Sequence, residues 1–246
     1  MRDQQKPTLG EFWEARARAG FWPTRAISYR LGAVLAWILS RLGFTPNRVS
    51  LLSLLVTGAG LWAALYFAPG WPAQGVAIFL VLNVAYALDC ADGLLARACG
   101  LGTRFGAFFD KFIDVLTLAL MVGVLATAAG EEQWCWIDLP PALGVAFALG
   151  VRLGLCVLMW LNEFEGGMPE RSRVDARQRN FTWYLRRGAG LLCDQVVYIA
   201  VISSAWASGS FWDALWIYHS IIAILAGGYL FLLYRDGEAS RRSGSS

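Results

Sequence analysis

Six apolar stretches, each close to the length that crosses a bilayer, constrain this chain more than any other feature. They run roughly over 50–67, 73–91, 106–130, 140–161, 188–208 and 211–234. A helix rises about 1.5 Å per residue, so about 20 apolar residues span the ~30 Å hydrocarbon core. Backbone polar groups in hydrocarbon must be satisfied within their own segment, so each stretch reads as a helix. Only 16% of the 246 residues are charged and 57% are hydrophobic, with mean hydropathy +0.48. That balance excludes a soluble globular domain. Nothing in the net charge of +3 suggests nucleic acid as a partner. The expected fold is all-α and integral to the membrane, with six transmembrane helices.

A different kind of helix is expected before the first span. Ile27, Leu31, Val34, Leu35, Ile38 and Leu42 repeat at helical spacing, with Arg30 and Arg41 off the stripe. This pattern predicts an N-terminal amphipathic helix over 27–43, lying in the interface plane. Thr45-Pro46-Asn47 then breaks it and opens the first crossing. The expected organisation is a cytoplasmic segment 1–26, the interfacial helix 27–43, a six-helix domain 44–235 and a disordered tail 236–246. The first 26 residues hold no apolar run of the kind a secretory signal needs, so insertion through the chain's own helices is expected. Five scattered cysteines without a CxxC pair read as packing residues, not a disulfide framework or a zinc site.

Charge placement sets the orientation. Every Lys and Arg except Arg152 falls in one alternating set of connections, and the loops near 68–72, 131–139 and 208–211 contain none. By the positive-inside rule the multi-pass chain is oriented with both termini in the cytoplasm, at the cell membrane.

The chemistry is concentrated between residues 89 and 114. Asp89, Asp92, Gly93, Ala96 and Arg97 are followed after eight residues by Gly106, then by Asp110 and Asp114 at steps of four. At about 100° per residue, Asp89, Asp92, Gly93 and Ala96 share one helix face, and Gly106, Asp110 and Asp114 share a face of the next helix. A short turn around Gly100-Leu101-Gly102 would make the two helices antiparallel and point four carboxylates at one another. Small residues beside them leave open space. Carboxylates gathered this way repel and resist desolvation. Arg97, Arg104 and Lys111 are too few to neutralise them all, whereas divalent cations can. Oxygen-only ligands select hard ions such as Mg²⁺ or Mn²⁺, and two such ions suit phosphoryl transfer. Solvated helix-end acids and an ion or solute pathway through the same residues are the competing readings.

These residues resemble the signature of the CDP-alcohol phosphotransferase (CDP-alcohol phosphatidyltransferase) family, DxxDGxxAR, eight residues, GxxxDxxxD, with no departure at any fixed position. The resemblance implies that Asp89, Asp92 and Asp110 bind a metal pair, with Asp114 as the base on the acceptor hydroxyl and a further metal contact. It also implies that Gly93, Ala96 and Gly106 make room for the CDP moiety while Arg97 holds its phosphates. The implied reaction is attack of the hydroxyl on the donor's β-phosphorus with release of CMP. The implied partners are a CDP-linked lipid, CDP-diacylglycerol first, a small polar alcohol acceptor, and a second copy of the chain in a homodimer.

The acceptor is less sharply indicated. Arg152, a permanent charge within the fourth stretch, either pairs with Asp194 or binds an anionic group. The basic connection that contains Arg171 and Arg173 either orients the chain or recognises a phosphorylated acceptor. Members resembling this chain in its N-terminal helix and Thr-Pro-Asn entry include those using inositol phosphate, so a phosphorylated polyol is the first expectation. Glycerol 3-phosphate, free inositol and serine are the others. His219, the single histidine, reads as a packing or hydrogen-bonding residue.

Overall fold

The computed structural model describes residues 7–16, 21–130, 140–164 and 191–243, and all regular structure among them is helical. Two short helices come first, α1 (Leu9–Glu14) and α2 (Trp22–Ala26), then α3 (Ser28–Arg41). Long helices follow as α4 (Pro46–Phe67), α5 (Gly70–Ala98), α6 (Arg104–Ala129) and α7 (Pro141–Phe164). The chain closes with α8 (Gln195–Ala207) and α9 (Phe211–Ser243).

Local chemistry explains the boundaries. In α1, the Thr8 hydroxyl accepts from the Glu11 amide at 3.4 Å while the Glu11 carboxylate accepts from the Thr8 amide at 2.7 Å. This reciprocal cap satisfies two of the donors that every helix start leaves open. It also holds the Glu11 carboxyl below the usual carboxylate range. Pro46 starts α4, where its missing N–H costs nothing. Between α5 and α6, Gly100 takes φ +65°, a left-handed conformation that suits glycine, and the Thr103 hydroxyl caps α6 through the Gly106 amide at 2.9 Å.

By length and composition, four described segments can cross a membrane: α4, α5, α6 and Phe211–Gly228 of α9. Pro141–Leu155 within α7 and the whole of α8 are shorter apolar helices. Within the fifth predicted stretch, 188–208, a turn at Cys193–Asp194 separates helical Leu191–Leu192 from α8 among the described residues. The α8 helix starts at Gln195, because the Asp194 carboxylate caps the Val196 amide at 3.0 Å and its backbone is extended. The second oxygen of Asp194 accepts from the Thr24 hydroxyl at 2.8 Å. The last helix, α9, continues through Asp236-Gly237 to Ser243.

The chain forms two compact units. The first holds residues 1–135 and 193–211, and the second holds 136–192 and 212–246. In the first unit α5 is the hub, packed by α3, α4 and α8, while α4 also packs along α6. The α3–α5 contact is made mostly by small residues, with buried Leu39 and partly buried Leu35 beside them. Ser28, Gly32, Ala33 and Ala36 are buried, whereas Ile27, Leu31, Val34, Ile38 and Leu42 of the predicted stripe are exposed. A Cβ on Gly32 would lie 2.9 Å from the Ala87 carbonyl oxygen, so the two backbones touch there. In the second unit Phe147 of α7 stacks on Trp216 of α9 at 5.3 Å. His219 is fully buried, its Nδ1 2.7 Å from the Leu215 carbonyl oxygen, as a packing and hydrogen-bonding residue should be.

Replacing Gly32 with leucine should force α3 off α5. Such overpacking costs about 1–3 kcal/mol. Thermal unfolding of the detergent-solubilised protein should come at lower temperature for Gly32→Leu, and Gly43→Ala at a helix end with open space around it serves as the comparison for a strained φ alone.

Candidate functional site

Asp92 and Asp110 stand six residues to either side of the α5–α6 connection, on the last turns of α5 and the first turns of α6. A helical hairpin brings such positions together, and the structure does so. One carboxylate oxygen each from Asp89, Asp92 and Asp110 lies within 4.8 Å of the others. Asp89 also faces the carboxylate of Asp114. Three of the four acids thus gather at one point, with Asp114 beside Asp89.

Their surroundings are graded. Asp92 is 4% exposed, whereas the side chains of Asp110 and Asp114 keep 32% and 29% of their surface. Lys111 reaches back between the last two, its Nζ 3.1 Å from Asp110 and 2.9 Å from Asp114. Asp92 accepts a short hydrogen bond from the Ser50 hydroxyl on α4. That hydroxyl also lies 3.2 Å from the Pro46 carbonyl oxygen, but the closer carboxylate is the stronger acceptor. Lys111 and the nearby Arg97 still leave net negative charge among four acids in a partly desolvated site, which a divalent ion would offset. Mg²⁺ binds oxygens at about 2.1 Å, so two ligands of one ion lie at most about 4.2 Å apart. The observed cluster is therefore on the scale of one ion after a small contraction, or of two adjacent ions. Carboxylate oxygens alone fit a hard divalent metal.

The small residues Gly93 and Ala96 lie on α5 and Gly106 on α6. Arg97 folds over Gly93, with its terminal nitrogens 3.1 and 3.2 Å from where a Cβ on that glycine would sit. A Cβ on Gly106 would lie 3.3 Å from Oδ1 of Asn47, at the start of α4. Ala96 is half-buried on the same α5 face. Arg152 is buried in the second unit, with its guanidinium carbon 5.9 Å from the Tyr218 ring centre. Arg171 and Arg173 lie outside the described residues.

Three contributors were not picked out from the sequence. Ser50 comes from a helix 42 residues away, yet Asn47, Ser50, Ser53 and Thr57 form a polar stripe at helical spacing in an apolar segment, which is a legible signal. Lys111 was counted as a charge without its bridging role. The α1 helix, whose Ala15 carbonyl oxygen accepts from Arg97 Nε at 2.6 Å, was missed although Thr8-x-x-Glu11 is a capping-box sequence.

Comparison with known proteins places this hairpin in context. Residues 44–174 match the family described as CDP-alcohol phosphatidyltransferase. A phosphatidylinositol phosphate synthase of Mycobacteroides abscessus is 38% identical over 214 residues, 85% of this chain and 83% of that protein. A CDP-diacylglycerol–glycerol-3-phosphate 3-phosphatidyltransferase of Pseudomonas fluorescens is 28% identical over 193 residues, 78% of this chain and 82% of its own length. An archaetidylinositol phosphate synthase of Pyrococcus horikoshii is 36% identical over 105 residues, 43% of this chain and half the length of that relative.

Removing the Ser50 hydroxyl leaves a buried carboxylate oxygen without its donor. That loss costs about 1–3 kcal/mol. In EDTA-containing detergent, Ser50→Ala should unfold at lower temperature than the unaltered chain, and Ser50→Thr, which keeps the hydroxyl, should lie between them.

Proposed function

From its membership of the CDP-alcohol phosphatidyltransferase family, to which this chain belongs, we propose how its residues divide the work and which alcohol they serve. The chain is a membrane enzyme of the class that transfers substituted phosphate groups, in phospholipid biosynthesis. It moves a phosphatidyl group from a CDP-linked lipid, CDP-diacylglycerol, to a polar alcohol. The observation that carries the residue assignment is the convergence of Asp89, Asp92 and Asp110 from two helices onto one point.

Asp89, Asp92 and Asp110 hold the metal, with Asp114 at its edge. Two bound Mg²⁺ or Mn²⁺ ions would neutralise the pyrophosphate oxygens and the charge that grows on the leaving CMP. Gly93, Ala96 and Gly106 keep the cleft open for the nucleotide, and Arg97 binds its phosphates. Asp114 takes the proton from the acceptor hydroxyl as its oxygen attacks the β-phosphorus. The bond from that phosphorus to CMP breaks, and CMP carries away the electron pair. The contact with Lys111 holds the Asp114 carboxylate in place for this task.

A phosphorylated polyol of the inositol phosphate type is the proposed acceptor. Support comes from the relative aligned over 85% of the chain, named a phosphatidylinositol phosphate synthase. Arg152, Arg171 and Arg173 are the proposed cations for its phosphate, since guanidinium pairs with phosphate in two-pronged fashion. Six crossings, α3 in the interface, both termini and the site on the cytoplasmic side, and a homodimer complete the proposal. The outward stripe of α3 and the absence of Lys and Arg from alternate loops support the topology. The transport reading needs acids spread through the membrane, whereas these four gather at one end of one hairpin.

Purified protein given CDP-diacylglycerol, Mg²⁺ and single acceptors should release CMP fastest with inositol phosphate, and mass spectrometry should identify the matching lipid. Fastest turnover with glycerol 3-phosphate would reassign the acceptor without touching the chemistry. Loss of a positioned base typically costs about 10²–10⁴ in rate. Asp114→Asn should lower CMP release by at least about 10² on that scale. Chelation by EDTA should stop the reaction, and Mg²⁺ or Mn²⁺ should restore it. Ion flux in liposomes without CMP release would favour the transporter instead.

A further inference from the structure

The N-terminal helix α1 lies outside the segment that matches the family, which begins at residue 44. It is nonetheless anchored in the first unit's core. Phe12 is completely buried, clustered with Ala33, Ala36 and Leu39 of α3 and with Leu88 and Ala91 of α5. Trp13 and Ala15 are partly buried against the same cluster, and Phe12 is the one fully buried side chain that ties the helix down.

The end of α1 then meets Arg97. The last carbonyls of any helix lack intrahelical partners and attract cations. Ala15, the residue that closes α1, offers its carbonyl oxygen to Arg97 Nε at 2.6 Å, across 82 residues of sequence. The neighbouring Trp13 carbonyl is taken by Arg16, which also lies over the Trp13 ring at 4.3 Å. With Nε fixed to Ala15, the two terminal nitrogens of Arg97 lie over Gly93, on the α5 face that carries Asp89 and Asp92. A guanidinium held at Nε keeps its outer pair of nitrogens free for a phosphate, in one orientation.

We propose that α1 is a buttress for the substrate site: buried Phe12 fixes the Ala15 carbonyl, which aims Arg97 at the pyrophosphate of the CDP-linked donor. The inference rests on the assignment of Arg97 to the donor's phosphates. Phe12 and Ala15 are positioning residues, for neither touches the reacting atoms. Because the aim of Arg97 governs donor binding, loss of the buttress acts on the KM for donor and not on the chemical step.

The test uses the full-length chain in detergent, with CMP release measured against CDP-diacylglycerol concentration. Coupled neighbours typically interact at a level worth several-fold or more in binding. Phe12→Ala should raise the donor KM about 5- to 10-fold on that scale, with kcat within about two-fold. Phe12→Leu, which refills most of the pocket, should return KM towards its starting value. In an Arg97→Ala background, Phe12→Ala should add nothing further. Where Phe12→Ala does not fold, the double replacement of exposed Thr8 and Glu11 by alanine loosens α1 from its surface end and should raise KM in the same direction. An unchanged KM in both α1 variants, or an equal rise with and without Arg97, overturns the buttress. An Arg97→Ala variant with unaltered donor KM removes the phosphate-binding role itself, and the buttress with it.

Discussion

Mutual repulsion among four carboxylates is the constraint around which the first unit is organised. Left to themselves, Asp89, Asp92, Asp110 and Asp114 would drive the ends of α5 and α6 apart. The structure opposes that with one bridging ammonium, one buried hydroxyl and a five-residue connection. Each is a partial remedy. Lys111 serves Asp110 and Asp114 on α6, and Ser50 serves Asp92 on α5, while Asp89 faces Asp114, Asp92 and Asp110. The site is therefore held together by protein but balanced for something more positive than protein supplies.

Support for that geometry comes from α4. It packs along both α5 and α6, and it delivers Ser50 to Asp92 and Asn47 to the neighbourhood of Gly106. A polar stripe on an otherwise apolar helix would be costly against lipid. Turned inward, the same stripe orders the acidic residues. Packing and site chemistry are thus joined on a single helix face.

Much of this could be read from the sequence because helical spacing converts directly into shared faces. The hairpin and its ring of acids follow from i, i+3 and i+4 intervals and the glycine-bearing turn. Contacts between remote segments do not follow in that way. Ser50 and Asp92 are separated by 42 residues, and Ala15 and Arg97 by 82, so nothing local announces either bond. The α3 helix shows a different limit. Most of the large apolar residues that set its periodicity face outward, and Gly32, Ala33 and Ala36, with Leu39, make the protein contact. In a membrane chain the surroundings are as apolar as the core, so hydrophobicity marks a face without saying what it meets. At α8, the Asp194 cap sets a helix start inside an apolar run, which hydropathy alone does not mark.

Glycine distribution adds a mechanical asymmetry. On α5 and its neighbours, Gly32 meets the Ala87 carbonyl, Gly60 meets Val81, and Gly75 meets Ser203 and Ala207, each with no room for a methyl group. Helices in such contact cannot slide without colliding. No close approach of that kind surrounds Gly123 of α6, which has open space beside it. On α6 the comparable approach, of Gly58 to the end of the flexible Leu120 side chain, is looser at 3.2 Å. Glycine contacts therefore lock the helix carrying Asp89 and Asp92 more tightly than the one carrying Asp110 and Asp114. A bulky, tailed molecule squeezing between the two would find one firmer jaw and one that yields more readily.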